Sequence, residues 1–307
     1  MNSKHPSRGS ARRLHSSVFL PPGSAFTLIE LLVVIAVIAV LASLLMPALV
    51  MSKMKAQGTC CLGNLKQLSL GWQIYSQDFS DFLAPNSDNR DNNAGRAPED
   101  PSWVAGIMSY STDPGSLSDN TNTDLLVGSR YAEFGSLGAY TKNPKLYHCP
   151  GDRSAVVTDQ GTYVRVRSVS MNGWVGFGTR DWGEPKEAPF YKLNIKMQDL
   201  QNPAPADAWI FIDERADSIN DGWFAIDMVN RGPSARWVDI PANYHNRSGT
   251  LAFADGHVQI RKWVDSRTMP PLLSGVPVVK SQFSPNNPDV YWLQSHTTGL
   301  TSTSPKQ

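Results

Sequence analysis

Three cysteines, one knot of acidic residues and two histidine-bearing segments are where this chain could do chemistry. Cys60, Cys61 and Cys149 form no Cys-x-x-Cys pair, and no histidine stands at finger spacing from them, so the spacing does not read as a zinc motif. Outside the cytoplasm two distant cysteines can join in a disulfide; in a reducing space three buried thiols are the default. Asp213, Glu214, Asp217, Asn220 and Asp221 crowd one strand-to-strand connection. Hard oxygen donors this close suit Ca²⁺, which makes Asp213, Glu214, Asp217 and Asp221 a candidate calcium set. The spacing is not that of an EF-hand, and an acidic turn whose side chains cap backbone groups has the same composition.

His245 and Asp255 pose the catalytic question, since an aspartate can orient a histidine for base chemistry. Asp255-Gly256 is also a turn signal, and a turn role is sufficient for it. The expectation is therefore a structural motif of His245, Asp255 and Gly256, with His245 bonding backbone near the hairpin. No nucleophile is placed: there is no Gly-x-Ser-x-Gly segment and no activated cysteine motif. The chain is expected not to be an enzyme. Trp103, Trp174, Trp182, Trp209, Trp223, Trp237 and Trp263 could line a sugar-binding face, but in a head of short strands such residues more often fill the core.

The net charge of +1 hides an asymmetry. Residues 1–25 hold Lys4, Arg8, Arg12 and Arg13 and no acid; the remainder has 24 basic against 27 acidic residues. Its basic residues are scattered, so no nucleic-acid surface is expected. Residues 1–25 read as a basic leader ending near Pro21-Pro22-Gly23. From Phe26 to Met51 the chain is apolar, and after Glu30 it carries no charge for about 20 residues, the length of a membrane-spanning helix. The basic flank places the N-terminus on the cytoplasmic side. A carboxylate at Glu30 is costly in such a segment unless it meets a positive partner.

Ala25-Phe26-Thr27-Leu28-Ile29-Glu30-Leu31-Leu32-Val33-Val34-Ile35 resembles the cleavage and methylation signature of type IV prepilins and type II secretion pseudopilins. The resemblance implies that a prepilin peptidase cuts between Ala25 and Phe26 and methylates the new amino group, and that Glu30 serves assembly with other pilin or pseudopilin subunits. One position departs: the family usually has Gly where this chain has Ala25. The segments around Cys61, Cys149, Ser168–Gly176, Phe211–Phe224 and Tyr244–Trp263, the last with its His, nine residues and Asp-Gly, resemble a large prepilin-like family whose heads have no settled biochemical role.

The elements that must position these residues follow from periodicity. Cys61, Leu65, Leu68, Trp72, Tyr75 and Phe79 recur at alternating steps of four and three, one stripe of a helix running from about Phe26 to Gln77. Strand patterns follow at Trp103–Met108, Tyr163–Met171, Ala208–Asp213 and Gly222–Val229, with a short helix within Asp124–Leu137. Thr250–Ala254 and His257–Trp263 read as a hairpin with a two-residue Asp-Gly turn. The expected fold is α+β and pilin-like: a cleaved leader (1–25), a transmembrane and assembly helix (26–51), its amphipathic continuation (52–80), a periplasmic head on an antiparallel sheet (81–270) and an extended tail (271–307). That makes the chain a single-pass inner-membrane protein and a structural subunit of a secretion filament; the alternative is a tethered glycan-binding module exported by the same route. Of the cysteines only Cys61 lies on the stripe, so a Cys61–Cys149 disulfide leaving Cys60 free is expected, and the resemblance points the same way.

Overall fold

A computed structural model describes residues 27–88, 94–178, 190–273 and 275–301. The expected cleavage site at Ala25–Phe26 and Trp182 lie outside them. The chain divides into a unit ending at Leu49 and a second beginning at Val50. Within the first, residues 28–49 form the beginning of helix α1, Leu28–Asp78, which has 51 residues. Up to Val50 its large apolar side chains are exposed, from Leu28 at 83% to Val50 at 53%. It is the one helix among the described residues long and apolar enough to cross a membrane.

In the second unit the same helix changes character. Gly58, Cys61, Leu65, Leu68, Trp72 and Tyr75 are buried, as the stripe requires. Phe79 lies past the helix end and is exposed. Ser80 and Asp81 adopt left-handed backbone (φ 53° and 73°), and the Asp81 amide donates to the Ser76 carbonyl, so the helix stops there.

The sheet under this helix has the order β5-β3-β4-β7-β8. Its strands are β3 (Val169–Asn172), β4 (Trp209–Asp213), β5 (Trp223–Phe224), β7 (Ser248–Phe253) and β8 (Val258–Lys262). All pairs are antiparallel except β3–β5. Two small antiparallel pairs stand apart from it: the hairpin of β1 (Ala155–Thr158) with β2 (Gly161–Val164), and β6 (Arg236–Trp237) with the distant β9 (Gln282–Phe283). The central strand β4 is buried at every position. The reason is two-sided covering. Ile210 and Phe211 join Leu65, Leu68 and Trp72 in one apolar layer; Trp209 and Ile212 join Trp237, Leu251, Trp263 and Leu293 in another. A register shift between Trp209 and Phe211 lets Ile210 and Phe211 share a side.

Several expectations are corrected. Trp103–Met108 is not a strand: it runs as buried irregular chain. Its polar groups are met singly, the Trp103 amide by the Pro85 carbonyl and its indole N–H by the Gly222 carbonyl. Asp124–Leu137 holds a four-residue helix, Asp124–Val127, and a 3-10 segment, Ser129–Phe134. Gly222–Val229 contributes only the two residues of β5. The β7–β8 connection is three residues, Ala254–Gly256, not two: the Phe253 amide bonds the His257 carbonyl, and Gly256 takes φ 87°, where a glycine is favoured. The segment 271–307 is not simply an extended tail. It contributes β9 and a helix at Pro288–Ser295, whose Val290 and Leu293 are buried in the second layer. Asn287 caps that helix, and the buried Asp289 carboxylate accepts from Val264 N, Asp265 N and Thr268 Oγ1.

Trp72 is fully buried in the layer that α1 shares with β4. Trp72→Ala is expected to cost about 3–5 kcal/mol by chemical denaturation of the detergent-solubilised full chain. Phe79→Ala, at an exposed site just past the same stripe, should change stability by under about 0.5 kcal/mol. Equal effects would mean that the stripe is not the core.

Candidate functional site

Four chemically capable side chains from four separate parts of the chain meet beneath α1. Cys61 stands on the inner face of the helix. Cys149 follows the 3-10 segment Pro144–Tyr147, its amide held by Ser168 Oγ at 2.7 Å. Asp213 ends the central strand β4. His245 lies in the connection ahead of β7, where its amide bonds the Ser248 carbonyl and Asn246 and Arg247 reverse the chain with positive φ. The donor atoms of all four lie within 4.8 Å of one another, and all four residues are buried. Among the described residues, this is the one set of three or more metal-ligating side chains that converges.

The contacts are specific. The Cys61 thiol donates to Asp213 Oδ2 at 2.9 Å and lies 3.1 Å from Thr250 Oγ1. Cys149 Sγ is 3.1 Å from His245 Nε2 and receives the Gly151 amide at 3.3 Å. His245 Nε2 is 3.9 Å from Asp213 Oδ2. The Thr250 hydroxyl also donates to that oxygen. Asp213 Oδ1 is buried with no hydrogen-bond partner, an expensive state for a polar atom.

Burial pushes every member toward its neutral form. It raises the Cys61 thiol well above the ordinary range, with help from Cys149 and the Asp213 charge. For Cys149, the hydrogen bond from Cys61 favours the thiolate, but burial and Asp213 outweigh it and the net direction is upward. Asp213 is pushed up to about 6 by desolvation, against the bonds from Cys61 and Thr250. His245 is lowered by desolvation, offset in part by the nearby Met54 carbonyl of α1.

Two glycines make room for it. A Cβ on Gly58 would come 3.1 Å from Ile260 Cδ1 and 3.5 Å from the His245 ring. One on Gly151 would come 2.8 Å from Tyr244 Cβ and 3.2 Å from His245 Cε1. The Cys149 turn therefore closes on the histidine with no room for a side chain at Gly151, and at Gly58 a Cβ would press on Ile260.

The expected Cys61–Cys149 disulfide is not formed: all three cysteines are free thiols, with Cys60 exposed. The two sulfurs lie close enough to interact, and each also has a polar partner of its own, Cys61 a carboxylate and Cys149 an imidazole.

The four carboxylates of the expected calcium set do not converge either. Asp213 belongs to the cysteine site. Glu214 accepts from Ser170 Oγ at 2.6 Å and Ser218 Oγ at 2.7 Å. Asp217 is bound by two nitrogens of Arg215, at 2.7 and 2.5 Å. Asp221 takes the Trp223 amide at 2.8 Å and the Asn220 side chain at 2.7 Å. A cation does sit among this group, but it is Lys280, bonded to Asp239, Asn220 and the Ser218 carbonyl.

His245 and Asp255 are not brought together. Asp255 Oδ1 instead accepts from the His257 amide at 2.9 Å and meets its ring at 2.7 Å. The Asp-Gly turn docks on α1, where Lys66 Nζ donates to the Gly256 carbonyl at 2.6 Å and Gln73 Nε2 to the Ala254 carbonyl at 3.0 Å. Asp255 and Gly256 thus form the turn and its contact with the helix. For His245 the main chain does bond near the hairpin, but its ring faces Cys149. Trp103, Trp174, Trp209, Trp223, Trp237 and Trp263 are all buried, which leaves no sugar-binding face built from them. Glu30 closes a local ring at the start of α1: Thr27 N and Oγ1 donate to its carboxylate at 2.9 and 2.8 Å, and its own amide donates to Thr27 Oγ1 at 3.2 Å.

The cysteine site was hidden from sequence reading because its donors share no local motif. Cys61 and Asp213 are 152 residues apart, and Cys149 and His245 are 96 apart. The usable signals were the place of Cys61 on the stripe and a polar Asp closing an otherwise apolar strand.

Asp221 yields a test of the acidic connection. Desolvation and the nearby Asp239 charge push it up to about 6, against the Trp223 amide, Lys280 and Arg167. A raised carboxylate gives stability that is complete below its unfolded value and lost as pH rises through about 6. Between about pH 4 and 6 this group should cost the full chain on the order of 2 kcal/mol. Asp221→Asn should flatten that part of the stability–pH curve. An unchanged slope in the variant would place the titration elsewhere.

No protein-family model, no curated protein and no solved structure matches this chain.

Proposed function

We propose that this protein is a prepilin-like structural subunit, cut at Ala25–Phe26 by a prepilin peptidase and held in the inner membrane by the first half of α1. Its α+β head stands in the periplasm and joins other pilin-type subunits in a filament of the type II secretion kind. The observation that carries the reading is the division of labour along one unbroken helix. From Leu31 to Val50 it exposes apolar side chains without a charge, and from Cys61 to Tyr75 the same helix supplies core. A cleavable signal sequence has no use for the second half, and a soluble core helix has none for the first. The motif at Ala25–Glu30 adds the processing chemistry, and the basic residues before it set the orientation.

Glu30 has a defined task in this reading. Its local ring with Thr27 shapes the helix start and leaves a negative charge for the amino group of a neighbouring subunit. An unpaired charge in such a helix bundle costs several kcal/mol, so the pairing sets the axial register of the subunits.

Co-expression with a prepilin peptidase should yield a mature chain that begins at N-methylated Phe26, read by intact mass and N-terminal sequencing. Retention of residues 1–25, or a cut beyond Met46, would contradict the proposal. Glu30→Ala should insert and fold normally yet fail to co-isolate with filaments. Normal incorporation of that variant would remove Glu30 from assembly.

A further inference from the structure

We propose that Cys61, Cys149, Asp213 and His245 bind one Zn²⁺ in a closed tetrahedral site that clamps α1 to the head. Two sulfurs, one imidazole nitrogen and one carboxylate oxygen are a donor set suited to this ion. Zinc bonds of about 2.0–2.3 Å in a tetrahedron put the donors about 3.3–3.8 Å from one another. The separations here run from 2.9 Å for Cys61–Asp213 through 3.9 Å for His245–Asp213 to at most 4.8 Å. Shifts of under about 1 Å in side chains would seat the ion.

Two further observations point to a ligand. Asp213 Oδ1 is a buried polar atom without a hydrogen-bond partner, on the carboxylate whose other oxygen takes the Cys61 thiol. The surroundings are also those a metal site keeps around its ligands. Thr250 fixes the Asp213 oxygen, and the Gly151 amide points at the Cys149 sulfur, where it would stabilise a thiolate. A disulfide between the two cysteines explains none of this. It would take from Asp213 the thiol that donates to it and leave a buried carboxylate beside a buried imidazole.

Four protein donors fill a tetrahedron and the site's members are 0–6% exposed, so its role is structural. It ties the helix to the central strand and to two loops, and its binding energy is folding energy. Ligand binding releases the two thiol protons and the Asp213 proton where present; no electron is transferred.

The test uses the full chain in detergent, purified without chelator from zinc-supplemented cells. Elemental analysis should find one zinc per chain, and a strong chelator should lower the melting temperature. Replacement by Co²⁺ should give the intense ligand-field bands of a tetrahedral ion with thiolate charge-transfer absorption. Cys60→Ser should keep the metal. Thr250→Val should weaken zinc binding by about tenfold to a hundredfold, and Asp213→Asn or His245→Ala should abolish tetrahedral Co²⁺ binding. If those ligand variants fail to fold, the zinc content and cobalt spectrum of the unaltered chain decide alone. Zinc content near zero, with either a Cys61–Cys149 disulfide or free thiols, would overturn the proposal. So would full zinc occupancy in a Cys61→Ser, Cys149→Ser double variant.

Discussion

Burial of one helical stripe is the constraint on which the rest of this structure depends. Leu65, Leu68, Trp72 and Tyr75 are removed from water by a sheet whose central strand supplies Ile210 and Phe211. The strand is apolar at four consecutive positions because it is covered on both sides, and a register shift lets neighbouring residues serve one layer. Once α1 and β4 are placed, the sequence positions of Cys61 and Asp213 force them into contact. The cysteine site is thus a consequence of the main packing decision, not a separate module grafted on it.

Polar groups around that packing are satisfied singly rather than in ladders. Arg165 and Arg167 are fully buried and spend their guanidinium groups on loop carbonyls, Arg165 on Ala216 and Arg167 on Asp221, each at 2.5 Å. Arg215 is locked to Asp217, and Lys280 reaches into the acidic connection. Such groups let a chain rich in turns and poor in long strands hold irregular segments in its interior, since these carbonyls find donors there. The acidic composition of residues 213–221 has the same basis: the carboxylates answer hydroxyls, a thiol, amides and cations of the same chain.

The long helix, its stripe, the buried strand at Ala208–Asp213 and the final hairpin were legible because each follows from a strong local period. What escaped has a physical cause in each case. Trp103–Met108 has strand-like residues but finds its hydrogen bonds in loops. The helix at Pro288–Ser295 is short and sits in a Pro- and Ser-rich segment, so its period is weak and tertiary packing of Val290 and Leu293 decides it. The Asp-Gly turn was recognised but its length was not, because the extra residue lies in the choice between two hairpin geometries that share this dipeptide. Cys61 was picked out correctly as the inward cysteine; that its partners are Asp213 and Thr250 depends on contacts 152 and 189 residues away.

The central claim is that the second half of α1 is structural core of the head and not a linker between anchor and head. Site-resolved amide hydrogen exchange on the detergent-solubilised full chain tests it most directly. Amides from Leu65 to Tyr75 should exchange together with those of β4 and β7, at one common free energy of opening, as members of a single cooperative unit. Fast exchange of Leu65–Tyr75 while β4 and β7 stay protected would contradict it, because the sheet would then stand without the stripe that is said to hold it.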